Sequence, residues 1–190
     1  MTETADQALA RIRGELLDYA RRWPSESDPA LFLELLDDGQ APFVRERLAG
    51  HFTASSWLVD RSGTRVLLTH HRKLERWLQL GGHADGDRDL SNVALREAEE
   101  ESGLTGLRVE PELFDLDRHW IPERKDVPGH WHYDARYVVH AGENEDYVVS
   151  EESHDLAWRS IDAILSDAES DESMLRMATK WMQRRGSASR

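Results

Sequence analysis

The chain has 190 residues, of which 39% are hydrophobic, and a formal net charge of −13 from 24 basic and 37 acidic side chains. Apolar residues spread along that length suit one compact domain with a small helical appendage and exclude global disorder. The acidic balance argues against a nucleic-acid partner, whose binding is driven by Lys and Arg displacing counterions, and the absence of cysteine excludes disulfides, thiolate zinc sites and cysteine nucleophiles.

The opening stretch, MTETADQALARIRGELL, carries early acids and no long apolar core, so it does not read as a signal peptide. No apolar run approaches the roughly 18 residues that span a bilayer. The plain expectation is a cytoplasmic protein with no membrane partner. Residues 5–22 place Leu9, Ile12, Leu16, Leu17 and Ala20 at helical spacing, which predicts a helix ended by Trp23-Pro24-Ser25. Asp28-Pro29 predicts a second short helix through Phe32, Leu35 and Leu36, stopped by Asp38-Gly39. A third helical piece is expected over residues 43–48.

The pattern then changes period. Residues 52–60 and 65–69 read as strands around an Asp60-Arg61-Ser62-Gly63 turn. Residues 77–80 form a short extended piece, and Gly81-Gly82 opens an expected Asp- and Gly-rich loop. Residues 90–102 predict a strong helix, with Asp89 or Ser91 as cap and Gly103 as stop. Residues 107–116 and 131–140 read as strands separated by a long loop with Pro122, Pro128 and Gly129. Residues 156–158 are extended, residues 161–165 and 173–185 helical, and residues 186–190 a frayed tail. Helices, strands, helix, strands and helices in that order point to a mixed sheet with helices packed on it.

The chemistry concentrates on the helix of residues 90–102. Glu97, Glu100 and Glu101 fall at i, i+3 and i+4 and share one face. Three converging carboxylates repel one another unless a cation lies among them, and hard oxygen donors suit Mg²⁺ or Mn²⁺. Arg96 stands beside Glu97 and four residues before Glu100, where it orients or neutralises a carboxylate. A Glu-rich run taken alone is more often a solvated helix face.

With Gly82 upstream and Gly103-Leu104 closing the helix, these residues resemble the Nudix box, G-x5-E-x7-R-E-U-x-E-E-x-G-U, with U a bulky aliphatic. The resemblance covers roughly residues 50–185. It departs at Arg88, which takes the place of the first Glu between Asp87 and Asp89, at Ala98, which replaces a bulky aliphatic, and at Leu80, where a proline often precedes the glycine pair. A neighbouring Asp is a candidate substitute for that Glu if the loop shifts by one residue.

The resemblance implies a Nudix-type α/β/α sandwich with a mixed sheet over residues 49–190, and an N-terminal helical extension over residues 1–48. It implies a pyrophosphohydrolase that cleaves a phosphoanhydride in a nucleoside diphosphate linked to another moiety. Glu97, Glu100, Glu101 and the Gly82 carbonyl would hold Mg²⁺ or Mn²⁺, Arg96 would position Glu97, and Glu97 is a candidate base. The partner would be a small phosphorylated or nucleotide substrate. The alternative is a Nudix-fold nucleotide sensor with little turnover, which Arg88 favours. The N-terminal helices are candidates for a homodimer contact or a cover over the site.

Further polar groups stand outside the box. His130, His132, Asp134 and Arg136 alternate along a strand and face one way, as a metal or substrate row or as an ordinary polar strand face. His119 and Glu123 precede them. The basic turn His70-His71-Arg72-Lys73 is a candidate receptor for substrate phosphate, with Arg72 its first choice. His83 follows Gly82 directly. Glu151 and Glu152 are candidate extra carboxylates. Trp57, Trp77, Trp120 and Trp158 are expected to pack rather than to stack on a base.

Overall fold

The computed structural model describes residues 3–26, 28–38, 41–71, 76–124, 127–149 and 153–188. In chain order it contains α1 (Ala5–Arg22), α2 (Asp28–Asp37), β1 (Gly50–Val59), β2 (Arg65–His71), β3 (Arg76–Leu78), β4 (Leu80–His83), α3 (Leu90–Ser102), β5 (Arg108–Ile121), β6 (His130–His140), β7 (Ser153–Ser160), α4 (Ile161–Ser166) and α5 (Glu172–Ala188).

β1 is the hub of a seven-stranded mixed sheet among the described residues. It pairs in parallel with β6 along its whole length, from Gly50 beside Trp131 to Val59 beside His140. Its other edge pairs antiparallel with β4, placing Thr53 beside His83 and Ala54 beside Gly82, and meets β2 at Val59 and Val66. β5 extends the sheet beyond β6, while β3 and β7 both pair with β2.

Strand alternation sorts the core into two layers. Phe52, Ala54, Ala135 and Tyr137 pack under α1, α2 and the start of α3, with Leu58, Leu80, Ala98 and Leu104 in a neighbouring cluster. On the opposite face Trp57, Val59, Val66, Leu68 and Val138 pack against α4 and α5. Burying apolar side chains on both faces supplies the main driving force, about 25 cal/mol per Å² removed from water. The result is an α/β/α sandwich with helices preceding it, as the sequence predicted.

Local signals set the helix ends. Thr4 and Gln7 form a reciprocal capping box at the start of α1. Asp89 caps α3 by accepting from the Asn92 amide at 3.1 Å, and Gly103 ends the helix in the left-handed region at φ 68°.

Four expectations are corrected. Residues 43–48 form turns rather than a helix. Gly81 and Gly82 lie within β4 and not in a loop, because their lack of side chains lets β4 lie against β1 and α3. The long loop before residue 131 is mostly strand. β5 runs to Ile121, with Asp117, His119 and Trp120 paired to β6, and only the tip carries Pro122, Pro128 and Gly129. The last helix continues to Ala188, so residues 186–188 are not a frayed tail.

One polar feature fastens the layers. Asp115 on β5, fully buried, accepts from Arg136 at 3.0 Å, Arg176 at 2.8 Å and Lys180 at 2.6 Å. Lys180 also pairs with Glu26 at 2.8 Å and donates to Tyr19 of α1. Burial pushes Asp115 upward, but Arg176, Arg136 and Lys180 outweigh it and hold the carboxyl below its ordinary range. The same balance, with His119, Arg136 and Arg176 prevailing over burial, holds Asp117 down.

Candidate functional site

α3 lies across β4, and the contact works because β4 has no side chain at one point. A Cβ on Gly82 would collide with the Glu97 carboxylate, so the strand carries glycine where the helix presents its acid. A Cβ on Gly81 would strike β1 at Ala54 and Ser55. The Gly81 amide donates to Glu101 Oε1 at 3.0 Å, which fixes the second acid of the face. Glu100 is exposed.

Arg96 ties the helix to the preceding segment. Its Nη2 donates to Glu97 Oε1 at 3.2 Å and to the His83 carbonyl at 3.4 Å, and its Nε stands 4.0 Å from Glu100. Burial raises the Glu97 carboxyl above its ordinary value, and Arg96 only partly offsets this. Glu97 is therefore positioned by a cation yet holds a proton more readily than a free glutamate.

The segment from Asp85 to Asp89 carries the departure at position 88. Arg88 is exposed, and its backbone carbonyl accepts from Arg11 at 3.1 Å. Asp87, one residue earlier, reaches Arg96 at 3.7 Å and accepts from the Asp89 amide at 2.9 Å and from Asn92 at 3.2 Å. Asp87 thus brings a carboxylate toward Arg96 from the position before Arg88. Ala98 is fully buried against the sheet, where its small side chain lets the helix approach closely.

Arg45 was not legible as a site residue. It sits on the turn before β1, forms a two-pronged pair with Asp85, with Nε donating at 2.7 Å, and lies in the field of Glu97 and His83. An exposed arginine beside the acids is where an anion bound near them would find a counter-charge.

On the opposite face of β4 a second group gathers. His51, His83 and His132 each offer a ring nitrogen, all within 4.8 Å of one another. His130 stacks on His51, with ring centroids 5.1 Å apart, and its Nε2 lies 3.2 Å from Nε2 of His132. Burial first, and the neighbouring cations and imidazoles second, lower His51, bring His83 to about 4 and His132 to about 2. His51 carried no signal of its own in the sequence. Only strand register brings it beside His132.

Asp134 is 3% exposed, and both its oxygens are engaged, accepting from Thr53 at 2.9 Å, Ser55 at 2.8 Å and Arg136 at 2.9 Å. It joins the buried ionic network instead of standing open. Arg72, Lys73, Glu151 and Glu152 lie outside the described residues. Trp57 is fully buried, Trp158 donates to the Glu145 carbonyl at 3.0 Å, and Trp120 packs edge-on against Trp131.

The donors on α3 suit a hard divalent ion. They are carboxylate oxygens, with Arg96 paired to Glu97, and the glycine cradle brings the Gly82 backbone close to Glu97. No helix among the described residues is long and apolar enough to cross a membrane.

A family model described as the NUDIX domain matches residues 50–178. Among solved structures, the chain is similar to an Ap4A hydrolase of C. elegans, at 16% identity and a TM-score of 0.55, covering 72% of this chain and 98% of that one. It is similar to the dihydroneopterin triphosphate pyrophosphohydrolase of E. coli, at 13% identity and a TM-score of 0.55, over 70% and 95% of the two chains. A UDP-X diphosphatase superposes over 91% of this chain and 78% of its own, at 16% identity and a TM-score of 0.53. At such identities the likeness is one of fold. No curated protein matches the sequence.

Proposed function

The chain belongs to the Nudix hydrolase family, and on that premise we propose that it hydrolyses a phosphoanhydride bond in a nucleoside diphosphate linked to another moiety. The observation that carries this reading is the fit of Glu97 into the space left by Gly82, with Arg96 bridging Glu97 and the His83 carbonyl. Residues 49–190 form the hydrolase domain in this reading, and residues 1–48 a helical extension packed on it.

Glu97, Glu100, Glu101 and the Gly82 carbonyl would hold Mg²⁺ or Mn²⁺. When bound, such an ion neutralises phosphate oxygens and the leaving group and lowers the pKa of water. The protein's own groups set the geometry. Arg96 fixes the rotamer of Glu97, and the Gly81 amide fixes Glu101. The half-buried Glu97 carboxyl, raised by desolvation, is the candidate to take a proton from attacking water. Arg45 supplies positive charge for a substrate phosphate.

The alternative of a nucleotide sensor rests on Arg88. The contact of Asp87 with Arg96 supports hydrolysis instead, since a carboxylate reaches the arginine from the next position. The test is phosphate release in Mg²⁺ across dinucleoside polyphosphates, nucleoside and pterin triphosphates, nucleotide sugars, nucleotide coenzymes and oxidised nucleotides, with Glu100→Gln as control. Turnover of one class that is lost in the control is expected. Tight binding without turnover of any class would favour the sensor.

A further inference from the structure

The histidines behind β4 are brought together by register alone. Parallel pairing of β1 with β6 sets His51 beside His132, and antiparallel pairing of β6 with β5 sets His119 beside His132. Neighbouring strands lie about 4.8 Å apart, so these imidazoles form a row across three strands. β4 adds His83, which is paired with Thr53 and so faces the same side. Adjacent residues of a strand face opposite ways. Gly82 therefore meets Glu97 on one side of the sheet while His83 meets His51 and His132 on the other.

Two hydrogen bonds fix how the rings are presented. His51 Nδ1 faces the Arg47 carbonyl at 3.2 Å, and His130 Nδ1 faces the Pro128 carbonyl at 2.8 Å. A carbonyl accepts only from N–H, so both rings carry their proton on Nδ1 and leave a lone pair on Nε2. A carbonyl behind the ring is how proteins hold an imidazole for metal ligation. His51 is 2% exposed, and its Nε2 is buried with no hydrogen-bond partner. A buried polar atom left unbonded is costly unless something occupies its lone pair. The Nε2 atoms of His130 and His132 stand 3.2 Å apart, close to the separation of about 3.4 Å for two nitrogens on one tetrahedral ion with bonds of about 2.05 Å.

We propose that His51, His83 and His132, with His130 as the fourth imidazole, form a binding site for a first-row divalent transition-metal ion of the Zn²⁺ type, separate from the acidic face of α3. Borderline nitrogen donors favour Zn²⁺ over the hard Mg²⁺. Small ring rotations bring the nitrogens of His51, His83 and His132, already within 4.8 Å of one another, onto one centre, with His130 adjoining through His132. The ion fastens β1, β4 and β6 at the end of the sheet where α3 begins.

The test uses the full chain without a histidine tag, stripped by chelator, then titrated with Zn²⁺ against a chromophoric chelator and with Co²⁺ by visible absorption. One Zn²⁺ per chain is expected, undisturbed by excess Mg²⁺ and retained in Glu97→Gln. Co²⁺ should give the visible bands of a nitrogen-ligated site of low coordination number. His132→Asn and His83→Asn should each weaken binding by about a hundredfold or more, and Zn²⁺ should raise the melting temperature of the unsubstituted chain but not of these variants. If His132→Asn fails to fold, the half-buried His83 decides the matter. Zn²⁺ binding unchanged in a folded histidine variant, binding lost in Glu97→Gln, or no Zn²⁺ bound would each overturn the proposal. Because the readout is metal binding, it stands or falls apart from hydrolysis.

Discussion

Two groups of carboxylates in this molecule face opposite fates. Asp115 and Asp117 on β5 are buried or nearly so and surrounded by Arg136, Arg176 and Lys180. Glu97, Glu100 and Glu101 on α3 are part-buried or exposed, and Arg96 pairs with Glu97 and stands 4.0 Å from Glu100. The first group is depressed below its ordinary range, and Glu97 is raised above it. Matched charge in a dry interior holds a fold together. A half-open face of carboxylates such as that of α3 is what a divalent ion can complete.

The largest effect is expected on the matched side. Asp115→Asn leaves Lys180 and Arg136 buried with too little negative charge, and should cost about 3–5 kcal/mol of stability in urea unfolding. Acid should act through the same group. The folded chain keeps Asp115 and Asp117 ionised below the ordinary 3.8 of the unfolded chain. Their contribution is complete above that value and is lost as pH falls through the depressed ones. Stability should therefore drop more steeply toward about pH 3 in the unsubstituted chain than in Asp115→Asn. Equal slopes would break the contrast.

Next comes the acidic helix. Glu101→Gln removes a charge but keeps an oxygen for the Gly81 amide. Turnover should fall by about a hundredfold or more, some 2.7 kcal/mol of barrier, with the melting temperature nearly unchanged. A large loss of stability would place Glu101 with the structural acids instead. The smallest effect is expected at Arg45. Arg45→Ala should raise KM about tenfold, roughly 1.4 kcal/mol, and leave kcat close to its original value, as measured in steady-state kinetics.

Much of this was readable from local pattern. The caps at Thr4, Asp89 and Gly103 are short-range chemistry, and the spacing from Gly82 to Leu104 carries the family resemblance. What escaped was set by register and by faces. Asp117, His119 and Trp120 read as loop because they are polar or precede Pro122, yet their polarity belongs to a strand that turns one side toward the ionic network and the histidines. His51 is an isolated residue in the chain, and only the β1–β6 pairing gives it company. Arg45 lies in a stretch whose pattern suggests helix, whereas the turn it forms is what points it toward Asp85. Asp87, one of the acids flanking Arg88 in the sequence, is the one that stands near Arg96.

The contact between Lys180 and Tyr19 joins residues 161 positions apart. During synthesis α1 leaves the ribosome long before its partner exists. Until α5 emerges, Asp115 has neither Arg176 nor Lys180, and Tyr19 of α1 lacks its contact with Lys180. Closure of this fold therefore waits for α5, and a chain halted before Lys180 would be a target for chaperones or proteases.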